Sequence, residues 1–213
     1  MEQLLHELLP VSVAEQLKTG MQVLPEMFDD VTILFSDIVS FTRICAAGTP
    51  YDVVFMLNSI CTHFDDVCSK WDVYKVATIR DAYFLASGVP VRNGDKHASE
   101  ICHLSFDLLK TTKTITVRHI PNETLGLRVG VHTGPCAAGV AGAKMPRYLL
   151  FGKTVDIAAR MESNGESMRV HISNTTAEKL KDNNEFNLIS RGHIYIQGMG
   201  NTETFWLEKT IPM

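Results

Sequence analysis

The chain has 213 residues, 45% of them hydrophobic and 21% charged, which is the composition of one globular domain with at most a short appendage. Lys and Arg number 20 against 24 Asp and Glu, so the net charge of −4 excludes a broad basic footprint for nucleic acid or an anionic membrane surface. No apolar run approaches the roughly 18–20 residues needed to cross a bilayer.

The opening stretch MEQLLHELLPVSVAEQ lacks a basic region and carries acids among its leucines, so it does not read as a secretory signal. The five cysteines are odd in number and form no C-x-x-C pair, which predicts reduced thiols of a cytosolic compartment. Leu4, Leu5, Leu8 and Leu9 follow helical spacing, Pro10 interrupts, and Val13, Ala14 and Leu17 resume it as far as Gly20. Such a short amphipathic helix packs either on a partner helix or on the domain itself.

Strands and helices alternate from residue 29 onward. The run 31–35 (VTILF) predicts a strand that ends in a polar turn at Ser36-Asp37. Val53, Leu57, Ile60, Phe64, Val67 and Trp71 step by four and three, predicting a helix over 50–71. Residues 72–79 and 82–88 read as a hairpin around Arg80-Asp81, and 89–95 as a loop. A helix is predicted over 97–112. Leu125, Leu127, Val129 and Val131 alternate in a strand over 125–132, followed by the glycine-rich TGPCAAGVAGAKMPR. A helix over 154–163, a strand over 169–173, a helix over 174–182 and a hairpin over 194–208 complete the pattern. It predicts one sheet with helices packed on it, in the α/β or α+β class.

Several apparent signals carry little. Gly152-Lys153-Thr154 ends like a phosphate-binding loop, but its first glycine would fall at Arg147. The eight histidines are scattered without ligand spacing. His132 reads as a hydrogen-bonded histidine at the core's edge, not a base.

Four features point toward phosphate chemistry. Asp37 stands at a strand end before a turn into a helix, which sets a hard oxygen ligand beside free backbone N–H groups. Asp81, in a tight hairpin, is held at the end of the sheet. Two such carboxylates suit divalent cations that bridge phosphates. Arg160 follows Asp156 by one helical turn and suits the charge of a transferring phosphoryl group. Lys144-Met-Pro-Arg147-Tyr148 makes a rigid basic loop. Singly, each feature also has a plain structural reading: Asp37 as a cap, Asp81 as a turn residue, Arg160 as half of a surface ion pair.

The runs FDDVTILFSDIVSFT, DVYKVATIRDAYFLASGVPVRNG, LRVGVHTGPCAAGVAGAKMPRYLLFGKTV and AARMESNGE resemble the catalytic domain of class III nucleotidyl cyclases, and most of all receptor-type guanylate cyclases. The resemblance runs from about residue 28 to the C-terminus. Residues 1–27 are similar to the linker helix that those proteins place before the domain. It implies a ferredoxin-like fold with a central, mostly antiparallel sheet, working as a head-to-tail dimer, either of two identical chains or with a related subunit. It also implies attack of a ribose 3′-oxygen on the α-phosphorus of a purine nucleoside triphosphate, GTP foremost, with two Mg²⁺ or Mn²⁺ ions per site.

By the same resemblance, Asp37, Asp81 and the backbone of Ile38 hold metal, and Phe41 and Thr42 lie near the triphosphate. The other subunit supplies Arg160 for the transition state, position 156 for the ribose, Ala77 and Leu149 at the purine, and Arg169 at phosphate. The place of action is the cytoplasm, or the cytoplasmic face of a membrane if an upstream segment provides an anchor. The chain departs from the family at Ala77 and Leu149, where guanine readers carry glutamate and cysteine, at Asp156 in place of asparagine, and at Arg80 in place of glycine. A leucine and an alanine offer no polar edge to a base. Asp156 adds negative charge and is placed to neutralise Arg160. Arg80 is strained if its turn needs a positive φ. These departures leave two readings: a working cyclase with weakened base selectivity, or a degenerate subunit that completes or regulates an active partner.

Overall fold

The computed structural model describes residues 9–142 and 145–210. In chain order the elements are α1 (Val11–Lys18), β1 (Glu26–Ile38), α2 (Phe41–Ala46), α3 (Pro50–Cys68), β2 (Tyr74–Ile79), β3 (Ala82–Ser87), α4 (Lys96–Thr112), β4 (Leu127–Ala141), β5 (Arg147–Phe151), α5 (Lys153–Ser163), β6 (Val170–Ser173), α6 (Asn174–Leu180), β7 (Phe186–Ile196) and β8 (Gly200–Lys209). The strands form one sheet in the order β2-β3-β1-β4-β6-β8-β7, with β5 paired to β4 off that path. Every pairing is antiparallel except β4 with β6. The mixed α/β class and the mostly antiparallel sheet are as the sequence predicts.

Two cores follow from the period-2 geometry of β1 and β4. Leu34 and Ile38 of β1 join Leu127, Val129 and Val131 of β4 on one face, under Ile60 and Phe64 of α3 and Ile101 and Leu104 of α4. Val31 and Ile33 face the other way, with Phe28, Phe84, Tyr148 and Leu150, against Leu9, Val13 and Ala14 at the N-terminus and Ala158 of α5. The described part of the N-terminal helix therefore packs on the domain; residues 1–8, with Leu4, Leu5 and Leu8, lie outside the described residues. Because β1 is covered on both faces, it reads as a near-continuous buried run and not as a clean alternation.

Local signals set the helix starts. Thr49 caps α3: its hydroxyl accepts from the Asp52 N–H, the Asp52 carboxylate accepts from the Thr49 N–H, and Pro50 takes the first helical position. Gly130 admits α5 to the sheet, since a Cβ there would lie 1.9 Å from the Glu162 nitrogen.

The structure lengthens three predicted elements. Strand β1 carries on through Ser36 and Asp37, because Leu127 and Arg128 of β4 pair opposite Ile38 and Asp37. The glycine-rich stretch after residue 132 stays extended to Ala141, hydrogen-bonded to β5 from Ala137 to Ala141. The terminal hairpin begins at Phe186, eight residues before its expected start. The helix of 50–71 ends at Cys68. All five cysteines are free. Among the described residues, no helix is long and apolar enough to cross a membrane.

Candidate functional site

Asp37 is the last residue but one of β1 and points to the same face as Val31 and Ile33, toward α5. Its Oδ2 accepts a 2.9 Å hydrogen bond from an Arg128 terminal nitrogen. The Arg128 Nε lies 2.9 Å from Glu162 Oε1 in a close ion pair without hydrogen-bond alignment. Arg128 is thus held between a carboxylate of the sheet and one of α5.

Asp81 sits in the turn between β2 and β3 and is 6% exposed. Its Oδ2 accepts the Ile38 N–H at 3.3 Å, which ties the turn to the end of β1. Burial pushes its carboxyl up to about 7, and the adjoining Asp37 carboxylate pushes the same way. Two carboxyls therefore converge, with Arg128 on the Asp37 side and the Ile38 N–H on the Asp81 side. The preceding Arg80 has φ 59°, the left-handed conformation that the sequence warned of. Phe41 and Thr42 open α2 on the same segment; Phe41 packs partly on the core and Thr42 is exposed.

The donors of the pair fit a cation site. Two carboxylates and the Ile38 carbonyl are hard oxygen ligands, which suit Mg²⁺ or Mn²⁺. The Asp81 carboxyl is raised first by burial and then by the adjoining Asp37, and a cation placed between the two would relieve the second cause. Among the described residues no cluster of three or more His, Cys, Asp or Glu side chains exists, so the remaining ligands would come from main chain, water or substrate.

Arg160 lies elsewhere. Residues 160 and 162 stand about 200° apart around a helix. Glu162 turns to Arg128, while the Arg160 guanidinium donates to the Gln197 side-chain oxygen between β7 and β8. Asp156 is exposed one turn earlier, and its expected neutralisation of Arg160 does not occur: Gln197 holds that guanidinium. Ala77 on β2 and Leu149 on β5 are both half-buried. Their strands approach through Tyr74 and Tyr148, whose rings meet edge-on at 5.7 Å. Arg169 stands apart, paired with Glu166 at 3.5 Å and Glu208 at 3.8 Å, with its guanidinium 4.2 Å above the Trp206 ring. Lys144 lies outside the described residues, and Arg147 is exposed.

One chain therefore gathers Asp37, Ile38 and Asp81 in one place and sets Arg160, with Gln197, in another. Three residues of this arrangement were not singled out from sequence. Arg128 carried a signal, a charge inside the otherwise apolar alternation LGLRVGVH. Glu162 and Gln197 carried none, since each gains its partner only through the sheet and the terminal hairpin.

Residues 23–209 match the family model described as the adenylate and guanylate cyclase catalytic domain. The chain is 53% identical over 208 residues to Guanylate cyclase 32E of Drosophila melanogaster, covering 98% of this chain and 18% of that protein. It is 52% identical over 206 residues to human Atrial natriuretic peptide receptor 2, covering 97% of this chain and 20% of the receptor. The chain thus spans about a fifth of the length of these curated relatives. Among solved structures, the guanylate cyclase domain of RhGC from Catenaria anguillulae in complex with GTP superposes with a TM-score of 0.81 at 32% identity, over 87% of this chain and 100% of that one. The non-canonical dimeric guanylyl cyclase domain of the RhoGC fusion protein from Blastocladiella emersonii gives 0.78 at 32% identity, over 86% and 98%.

Proposed function

Because this chain belongs to the family of adenylate and guanylate cyclase catalytic domains, we propose that it converts a purine nucleoside triphosphate, GTP foremost, to its 3′,5′-cyclic monophosphate and pyrophosphate at a site shared by two protomers. The observation that carries this reading is the convergence of Asp37 and Asp81, with the Asp81 carboxyl raised to about 7. The separation of Arg160 from that pair within one chain supports a site completed across a two-fold interface.

In this reading Asp37, Asp81 and the Ile38 carbonyl hold Mg²⁺ or Mn²⁺, two ions per site. Bound there, the ions supply Lewis-acid charge that neutralises the triphosphate and makes the ribose 3′-hydroxyl more acidic. Arg160 of the second protomer stabilises charge developing on the transferring phosphorus, and Gln197 keeps its guanidinium oriented. Phe41 and Thr42 lie along the triphosphate, Asp156 meets the ribose, and Arg169 meets phosphate. Ala77 and Leu149 line the purine with apolar surface. Arg128 offsets the Asp37 charge until substrate arrives. Residues 1–27, with the helix Val11–Lys18, act as a linker segment before a catalytic domain of residues 28–213, on the cytoplasmic side of any membrane.

A second reading, a low-turnover subunit that completes a related active partner, draws on Ala77 and Leu149. Neither side chain can bond the edge of a base, so discrimination by polar contacts is lost. A cyclase assay with Mn²⁺ on GTP and on ATP separates the two. Turnover of GTP by this chain alone supports the first reading. Turnover only after a related active subunit is added supports the second, and none in either case contradicts both.

A further inference from the structure

Away from Asp37 and Asp81, an open cavity of about 610 Å³ lies between β4, the start of α5 and the β7–β8 turn. Its walls include Met27, Cys136, Phe151, Ile157 and Met199, and Lys153 stands on its rim. A volume in this range suits a small organic ligand. The one imidazole lining it is His132, which is 4% exposed. The ring's Nδ1 meets Ser173 Oγ at 2.8 Å and Thr175 Oγ1 at 3.2 Å, whereas Nε2 has no partner among the described residues. A Cβ placed on Gly134, another wall residue, would be 3.7 Å from that Nε2. A nitrogen of a buried ring thus borders a space walled by apolar side chains together with Thr133, Thr154 and Thr175.

The proton on that ring is set from the far side of the sheet. Behind His132 runs a chain of hydroxyls: Ser173 to Thr176 at 3.1 Å, Thr176 to Thr133 at 3.0 Å, Thr133 to Thr32 at 2.8 Å, and Thr32 to His97 Nδ1 at 2.7 Å. The His97 Nε2 lies 3.6 Å from the Asp30 carboxylate, too far for a hydrogen bond but close enough for that charge to favour the proton on this nitrogen. The His97 Nδ1 must then accept from Thr32. Each hydroxyl donates once; Ser173 Oγ also lies 2.9 Å from Thr175 Oγ1, so its proton goes to Thr176 or to Thr175, and in either arrangement His132 Nδ1 donates. The Thr175 hydroxyl is already committed to the Thr133 carbonyl at 2.9 Å. His132 Nε2 is left as a bare acceptor. Burial and the nearby Lys153 ammonium hold the ring's pKa down to about 4, so it stays neutral.

We propose that this cavity binds a small, neutral amphipathic molecule that donates a hydroxyl or N–H hydrogen bond to His132 Nε2 and lays its apolar body on Met27, Phe151, Ile157 and Met199. The proposal does not depend on catalysis. Benzyl alcohol and anisole, isomers of the same formula, differ in that only the alcohol has a donor. Both are titrated into the intact protein with ¹⁵N-labelled histidine. The expected result is binding of the alcohol about five- to tenfold tighter than anisole. The free protein's His132 Nε2 resonance should be that of an unprotonated nitrogen, displaced by the alcohol and not by the ether. His132→Phe should make the two affinities equal; if that variant fails to fold, the nitrogen resonance of the natural protein decides alone. Equal affinities in the natural protein, no binding of either probe, or a protonated Nε2 in the free protein would overturn it.

Discussion

Asp37 and Asp81 are surrounded by polar obligations: an arginine on one carboxylate, a backbone N–H on the other, and each pressing on its neighbour's charge. Ala77 and Leu149, on strands that approach through Tyr74 and Tyr148, have no such obligations; both lie half-buried, Ala77 against the second core. The first region is costly for an isolated fold, since burying an uncompensated carboxylate opposes stability. The second costs nothing. A buried carboxyl that burdens the fold beside a like charge marks a candidate ligand site, whereas Ala77 and Leu149 add only apolar surface. The two regions can therefore be perturbed separately.

The sharpest change is to restore polarity to the wall. Ala77→Glu with Leu149→Cys should raise the preference for GTP over ATP by about tenfold or more, read from product ratios at equal substrate. An unchanged ratio would remove both residues from the purine pocket. Asp156→Asn comes next. Removing a carboxylate beside a triphosphate should raise turnover about threefold to tenfold, while loss of an acid in the first turn of α5 lowers stability slightly. Equal or slower turnover would show that position 156 does not meet the ribose.

The carboxylate region is tested through pH. A carboxyl raised from 3.8 to about 7 by folding binds more protons folded than unfolded between those values. Through this group, stability of the metal-free domain is present below pH 4 and falls as pH rises to 7. Asp81→Asn should therefore raise the metal-free unfolding midpoint by about 3–6 °C at pH 8 and by nothing at pH 4. Mn²⁺ should reverse the ranking at pH 8. Comparison with the natural chain at each pH is needed, because buried His132 and His171, held near 4, work in the opposite sense below pH 6.5. The smallest effect is at Arg80. Glycine there should relieve a left-handed arginine and stabilise by about 1 kcal/mol in denaturant unfolding.

Much of this was legible in the sequence because it rests on short-range rules. The spacing of Ile60, Phe64 and Val67 gave α3, and Arg80-Asp81 gave the hairpin, since both depend on neighbours within a turn. Asp37 adjoins Asp81, but in a strand and not in the expected turn. Strand length escaped because it is decided by a partner: β1 and β4 extend each other, and glycines that look like a loop remain extended once β5 lies alongside. The site's supporting contacts escaped for the same reason. Gln197 meets Arg160 across 37 residues and Glu162 reaches Arg128 across the sheet, which no local pattern encodes. The expected Asp156–Arg160 contact failed because a one-turn spacing permits an ion pair without compelling one.

The central claim is that Asp37 and Asp81 of one protomer act with Arg160 of another. Mixing Asp81→Ala protein with Arg160→Ala protein, each inactive alone, tests it directly. Half of the dimers formed then pair one variant with the other, and each of these holds one intact site of two, so activity should return to about a quarter of the natural level. No recovery on mixing, with dimers verified, or full activity in either variant alone, would contradict the account.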